Sequence, residues 1–446
     1  MTTQLDQSNI NISMQSALSQ AVEYAQASGA DAIEIAANND KGFSVTARLG
    51  DVETVEHHNQ RTIKVTAYRG KAKGSASTND VSADAIHRTI DAALNIAKYT
   101  AEDEFAGLAD KSLMAFDYPD LELDHVWDID TDSALQKAIE CEQVARDDER
   151  IINSEGATVS SIRTQLAYAN SHGFFGEYNS TRHSISCSVV AGDDQGMQRD
   201  YWYTVDRDAN KLDSVETVGA TARERTVRRL SARGLKTCEV PVLFEPMMAR
   251  SLISHLFSAL SGSAVYRQAS FLVDAIDKKI FPDWITIKED PHVHGGLASA
   301  PFDNEGVRTQ ARDVVENGVL QGYVLNNYSA RKLGMQTTAN AGGIHNIEIS
   351  DRAKSFEELI KEMNTGLLVT ELIGHGVNTV TGDYSRGASG FWIENGEIQY
   401  PVQEITIAGN LAEMFNNIEE IGNDIDRRGN IQCGSIVIGG MTIAGS

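Results

Sequence analysis

Apolar residues recur at helical spacing near the start of the chain, at Met14, Leu18, Ala21, Val22 and Ala25. This stripe predicts a helix with one buried face, which Gly29 can end. The period then changes to two. Ile33 and Ile35, then Phe43, Val45, Ala47 and Leu49, then Ile63, Val65 and Ala67 alternate with polar residues. They predict a short antiparallel meander buried on one side. Ser82 is placed to cap a second helix, along which Ile86, Ile90, Ala93, Leu94 and Ala97 form a stripe. Helix, strands and helix in that order predict a two-layer α+β unit.

Ala101 to Asp130 is acidic and irregular, is interrupted by Pro119, and marks a boundary. Leu135, Ala138, Ile139 and Val144 predict a third helix. Arg150 to Asp206 reads as β-rich, with turns at Asn170-Ser171-His172-Gly173 and Gly192-Asp193-Asp194, and a fourth helix runs from about Leu212 to Leu230. Beyond Gly234 the chain is rich in glycine. Its core signals are VPVLFEP, a helix from Met247 to Leu260, ITIK, GYVLNNYSARKLG, a short helix near Phe356 to Met363 and the terminal IVIGGMTIAGS. Thr370 to Leu411 adds paired strands around an Asn395-Gly396 turn. Glycine set among short strands permits bulges and tight corners, so a curved or barrel-like sheet is expected. The predicted architecture is α+β: a subdomain over 1–120, a second α+β subdomain over 121–233, and a β-rich C-terminal domain over 234–446. The N-terminal sheet is expected to be antiparallel.

Composition narrows the function. With 446 residues, 41% hydrophobic and 23% charged, the chain is ordinary for a globular protein of several domains. No apolar run approaches the ~18 residues of a spanning helix. The start of the chain has neither a basic nor an apolar leader, so the cytoplasm is the expected compartment. Four cysteines without CxxC spacing argue against a disulfide or zinc framework. A net charge of -24 repels phosphate backbones and weakens any direct nucleic-acid role. Arg223-Glu224-Arg225 and Arg228-Arg229 on the fourth helix read as its solvated face.

Motifs for known chemistry are scarce. No HExxH string is present, so a thermolysin-like helix with two imidazoles and a glutamate base is missing. His292 and His294 would face one side of a strand and chelate, or lie in a solvated loop between Pro291 and Gly295-Gly296. His345 and His375 sit in glycine-rich turns, where bonding to backbone is the usual task. His57 and His58 point to opposite faces of a strand and cannot easily share an ion. Gly387-Ala388-Ser389-Gly390 is not a nucleophile elbow, and GHGVNTVTG lacks the GK[ST] ending of a phosphate loop.

Three separated blocks agree in order with one family: Asn170 to Gly173, Pro301 to Gly306 with Glu316 to Tyr323, and Gly382-Asp383-Tyr384-Ser385-Arg386-Gly387-Ala388. The chain resembles the PmbA/TldE family, the partner branch of the TldD-type metalloproteases. TldD-type subunits carry an HExxxH helix just upstream of a segment comparable to Tyr266 to Phe271. Aligned on that resemblance, Ser254 stands in the place of the first histidine, His255 in that of the glutamate and Ala259 in that of the second histidine. The metal site is therefore expected to be missing from this helix. The catalytic branch also uses a cysteine ligand near its C-terminus; the surroundings of Cys433 match the partner branch better, and a partly buried structural thiol is expected.

What the resemblance implies is a cytosolic heterodimer with a TldD-like catalytic subunit that holds zinc, with no cofactor in this chain. The complex would cut unfolded or short peptides; family members are linked with maturation of a gyrase-directed peptide antibiotic, with antitoxin turnover, and with the older description of a gyrase modulator. A peptide can dock by strand addition, and the edge from Asn378 to Ser389 is read either as the wall of such a channel or as a domain-internal hairpin. Asp383, Tyr384 and Arg386 are the surface candidates for substrate or partner contacts. The isolated chain is expected to be capable of forming a homodimer. Two competing functions are a self-sufficient hydrolase built on His292, His294 and a carboxylate such as Asp303 or Glu305, and a gyrase- or nucleic-acid-binding module.

Overall fold

Long strands, rather than short ones, frame the N-terminal half of the computed structural model, which describes residues 14–445. The N-terminal residues in which no leader is visible, 1–13, and Ser446 lie outside the described residues. Helix α1 (Met14–Ala27) leads into β1 (Ala32–Arg48), β2 (Asp51–Arg69) and β3 (Ala72–Thr78), followed by α2 (Ala83–Tyr99) and α3 (Thr131–Ala145). Strands β4 (Ile151–Asn170), β5 (Phe175–Asp193) and β6 (Gly196–Asp206) precede α4 (Val215–Val227). The six strands form one antiparallel sheet in the order β3-β2-β1-β4-β5-β6.

Ile33 and Ile35 are therefore in the same strand as Phe43, Val45 and Ala47, a correction to the expected short meander. The reason lies in the layer above. Helices α1 and α2 bury Ile33, Ile35, Ile63 and Val65 at one end of the sheet, while α3 and α4 bury Val45, Ala47, Val159 and Val189 at the other. Asn38 to Gly42 lie between the two apolar patches, half-buried or exposed, and this interruption disguises one strand as two. Leu49 leaves the alternation altogether: it sits in the β1–β2 turn at φ 56, and is 52% exposed.

The C-terminal half begins with β7 (Cys238–Phe244), α5 (Pro246–Leu260), α6 (Gly262–Tyr266), β8 (Ile287–Asp290), β9 (Arg312–Glu316), β10 (Val319–Leu320) and α7 (Asn327–Lys332). It continues with β11 (Asn346–Ile349), α8 (Phe356–Met363), β12 (Gly366–Ile373), β13 (Asp383–Glu394) and β14 (Glu397–Asn410). Elements α9 (Leu411–Asn416), β15 (Ile418–Ile421), β16 (Ile431–Gln432) and β17 (Ile436–Ala444) complete it. Strands run in the order β14-β13-β12-β7-β17, and a further β14–β17 pairing closes them into a barrel, as the glycine pattern predicted. Asn395 (φ 57) and Gly396 (φ 73) make the tight turn between β13 and β14. Close approach explains one glycine of that region: a Cβ on Gly390 would lie 1.8 Å from the Leu368 carbonyl oxygen of β12. A second, smaller sheet has the order β10-β9-β8-β11-β16. Among the described residues no helix is long and apolar enough to cross a membrane.

The fit of α2 onto β3 is tight enough to test. A Cβ on Gly74 would meet the Ala93 carbonyl oxygen at 2.1 Å and the Ala97 nitrogen at 2.4 Å, both helix backbone atoms that cannot rotate away. Gly74→Ala should therefore destabilise the chain by about 1–3 kcal/mol, read as a lower midpoint in urea denaturation; an unchanged midpoint would contradict the packing described.

Candidate functional site

Helix α4 carries charge into the junction between the two halves. Arg225 is 8% exposed and grips Glu245 through two hydrogen bonds of 2.7 and 3.1 Å. Its Nε lies 3.4 Å from Asp200 of β6, which also faces Arg229 at 3.6 Å. Arg229, likewise 8% exposed, pairs with Glu371 of β12. The expectation that this basic cluster is a solvated face is thus corrected for Arg225 and Arg229, whereas Arg228 and Glu224 are exposed. Trp202 lies between cations, with the Arg428 guanidinium 3.8 Å and that of Arg225 5.2 Å from its ring. Glu245 is the residue that precedes α5, so this network fixes where α5 starts.

Helix α5 buries Ala249, Leu252, Ile253, Leu256 and Leu260 in the C-terminal core and leaves a polar stripe of Ser251, Ser254, His255 and Ser258. Ser254 turns inward on its own helix, its Oγ donating to the Ser251 carbonyl at 2.7 Å. Ala259 is fully buried. His255 faces Tyr384 of β13 edge-on, with ring centroids 6.1 Å apart. Arg386 joins them: its Nη1 donates to Ser251 Oγ at 3.1 Å and its Nε to the Gly374 carbonyl at 3.1 Å. The structure therefore brings His255 together with two of the three β13 candidates. Tyr384 is not at the surface as expected. It is 1% exposed, because alternation in β13 turns it toward the core while Asp383 turns out. Asp383 accepts a hydrogen bond of 2.6 Å from Thr381 and closes an exposed turn.

His255 Nε2 and the Tyr384 hydroxyl are both buried without a hydrogen-bond partner. Burial, and then the Arg386 charge, lower the His255 pKa and keep the imidazole neutral near pH 7. Burial pushes the Tyr384 phenol up to about 12, with Arg386 acting against it. Strand β13 is flanked by β12 and β14, and its first residues pair with Gly376 and Asn378. No open edge is left there for a peptide, so Asp383 to Ser389 is a domain-internal strand.

Other sequence candidates are dispersed. His292 bonds Thr309 Oγ1 at 2.9 Å, while His294 is exposed, 3.7 Å from Glu122. Asp303 accepts from the backbone N–H groups of Glu305, Val307 and Ala341 at 2.9, 2.9 and 3.1 Å and holds its loop in shape. Cys433 is fully rather than partly buried, and burial pushes its thiol up to about 12. Among the described residues, no three His, Cys, Asp or Glu side chains gather where they could hold a metal ion. A tetrahedral zinc site needs several such donors, and α5 offers a single imidazole beside a cation, so the residues present do not fit the ion.

Sequence reasoning missed Glu34 and Glu289, and named Asp303 and Glu305 only as possible partners of His292 and His294. Glu34 of β1 accepts hydrogen bonds from Tyr68 (2.9 Å) and Tyr168 (2.8 Å) on the sheet face that meets the C-terminal half. Glu305 lies near it. Burial, joined by the charges of Asp303 and Glu34, lifts Glu305 to about 7, and burial lifts Asp303 to about 6. The signal was the parity of Glu34, which falls on the face opposite Ile33 and Ile35. In the smaller sheet, burial opposes ionisation of Glu289, yet hydrogen bonds from His345 and the Arg312 charge outweigh it and hold the carboxyl at about 2.

Comparison with known proteins covers nearly the whole chain. Models of the PmbA/TldA metallopeptidases match residues 33–97 (domain 1), 124–230 (central domain) and 237–445 (C-terminal domain). Metalloprotease PmbA of Escherichia coli is 50% identical over 97% of this chain and 96% of its own length. The PmbA homologue of Haemophilus influenzae is also 50% identical, over the same shares. A crystal structure from Bacteroides thetaiotaomicron, described as a candidate modulator of DNA gyrase, superposes with a TM-score of 0.92 at 29% identity, covering 97% of this chain and 99% of that one. The fold is also that of TldE from Thermococcus kodakarensis, with a TM-score of 0.85 at 22% identity over 96% of this chain and 100% of that one.

Two consequences of the buried charges can be measured. Arg225→Ala removes the hydrogen-bonded partner of buried Glu245, leaving it Arg228 at 3.7 Å and leaving Asp200 Arg229 at 3.6 Å, and should cost about 3 kcal/mol, seen as a lower denaturation midpoint; a loss below about 1 kcal/mol, the scale of exposed pairs, would contradict the latch. For Glu305 the folded pKa lies above the unfolded one, so the stability contributed by its protonated form is complete below about pH 4.5 and is lost as pH rises through about 7. Glu305→Gln stays neutral throughout. Its stability relative to the unsubstituted chain should rise between about pH 5 and about pH 8, by up to about 3 kcal/mol; a difference independent of pH would contradict the burial.

Proposed function

Since this chain belongs to the PmbA/TldE family of metallopeptidases, we propose that it is the non-metal-binding subunit of a cytosolic two-chain peptidase. A TldD-like partner holds the zinc and breaks the peptide bond. This chain shapes the chamber in which unfolded or short peptides are presented. The observation that carries the reading is the donor set on α5: Ser254, His255 and Ala259 supply one imidazole where a hydrolytic zinc site needs three protein ligands.

A second observation supports a partner. Strand β3 pairs with β2 only from Ile63 onward. Residues 51–62 of β2 therefore have β1 on one side and no strand on the other among the described residues. Nearly all of these positions are exposed. An unpaired edge of this kind favours pairing with another chain. It suits a TldD-like subunit, and in its absence a second copy of this chain. The net charge of -24 disfavours direct contact with DNA, so the nucleic-acid-binding reading has no support in the composition.

The test is reconstitution. The purified full chain is incubated with short unstructured peptides alone and after addition of a TldD-like subunit. Cleavage is expected only in the mixture. Turnover by this chain alone, at a rate unaffected by the added subunit, would overturn the proposal.

A further inference from the structure

The polar stripe of α5 holds two buried atoms that the fold leaves without partners, His255 Nε2 and the Tyr384 hydroxyl. Their placement is specific. The two rings meet edge to face, and the Arg386 guanidinium lies beside both. A buried polar group without a partner costs about 1–3 kcal/mol, and two in one place call for a shared partner. Arg386 is tied to protein through Nη1 to Ser251 and Nε to Gly374, and its guanidinium also bears on the Tyr384 hydroxyl. The charge that acts on His255 and Tyr384 is that of Arg386, with no carboxylate opposing it, in a chain whose acidic residues outnumber its basic ones 63 to 39.

We propose that Arg386, Tyr384 and His255 form a receptor for the terminal carboxylate of a peptide. One carboxylate oxygen takes the guanidinium. The other accepts from the Tyr384 hydroxyl and from His255 Nε2 in its N–H tautomer. A single guanidinium balances one negative charge, which suits a carboxylate better than a doubly charged phosphate. The exposed segment 373–376, which Arg386 tethers through the Gly374 carbonyl, borders the site. The peptide origin of the ligand rests on the function proposed above: the receptor occupies the helix on which a catalytic relative would cut the chain, so this subunit holds an end instead.

The full chain is titrated calorimetrically with trialanine and with trialanine amide near pH 7. The free acid should bind at least about tenfold more tightly than the amide, the scale of one charge-assisted hydrogen bond. Tyr384→Phe keeps the ring and its packing, and should weaken the acid by about five- to tenfold without moving the amide. Arg386→Gln should abolish the preference, with partial rescue by Arg386→Lys. Competition by acetate against trialanine is expected, since the carboxylate is the recognised group. Equal affinity for acid and amide, no binding of either, or acid binding unmoved in Arg386→Gln would overturn the proposal, as would a high-resolution structure with trialanine in excess that holds only a water between His255 and Tyr384. None of these arms needs cleavage or a second subunit. A chain that cleaved peptides unaided would defeat the function proposed above while leaving the carboxylate result to be judged by itself.

Discussion

Arg225, held between Glu245 and Asp200, is the contact on which the arrangement of this chain turns. Both carboxylates and the guanidinium are withdrawn from water, and desolvation of such groups costs several kcal/mol before attraction returns any of it. Bidentate geometry on Glu245, the ring of Trp202 beneath the guanidinium and the neighbouring Arg229–Glu371 pair together offset that cost. A hydrophobic contact of equal area would bind as well but would slide. The ion network ties Glu245, the residue before α5, to α4 and β6, and so bears on the angle at which α5 leaves the junction.

What α5 presents follows from that angle. Its apolar side fills the core beneath the closed barrel, and its polar stripe meets β13 at Tyr384 and Arg386. In a hydrolytic relative this is where an ion with several imidazole and carboxylate ligands would sit. Here one neutral imidazole lies beside a guanidinium, a setting that repels a divalent cation and welcomes an anion. On the proposals above, loss of the ion and gain of anion affinity would be two outcomes of the same electrostatic change. The β2 edge at residues 51–62 lies in the other half of the molecule, so the proposed assembly with a partner and the proposed handling of a peptide would use separate surfaces.

Local signals in the chain were readable where one layer alone decides them. Ser82 caps α2, Asn395-Gly396 turns β13 into β14, and Phe356 to Met363 is a helix with a capping box at Ser355. Position on a face was harder. Asn38 to Gly42 interrupt an alternation that the sheet itself carries through, because two helix pairs cover only its ends. Arg225 and Arg229 look like any solvated basic pair until Asp200, Glu245 and Glu371, distant in sequence, are folded against them. Tyr384 was singled out for the right strand and the wrong side, since its burial depends on α5 passing over β13. Glu34 escaped notice, and Glu305 was named only as a partner for His292 and His294, for the same reason: their coupling exists only across the junction of the two halves.

Metal content decides the central claim most directly. The full chain, purified from native cells without chelator, is analysed for zinc by mass spectrometry, and its crystals are examined for anomalous scattering at the zinc edge. The account predicts far less than one ion per chain and no anomalous peak near Ser254, His255 or Ala259. Stoichiometric zinc with a peak on His255 would contradict it.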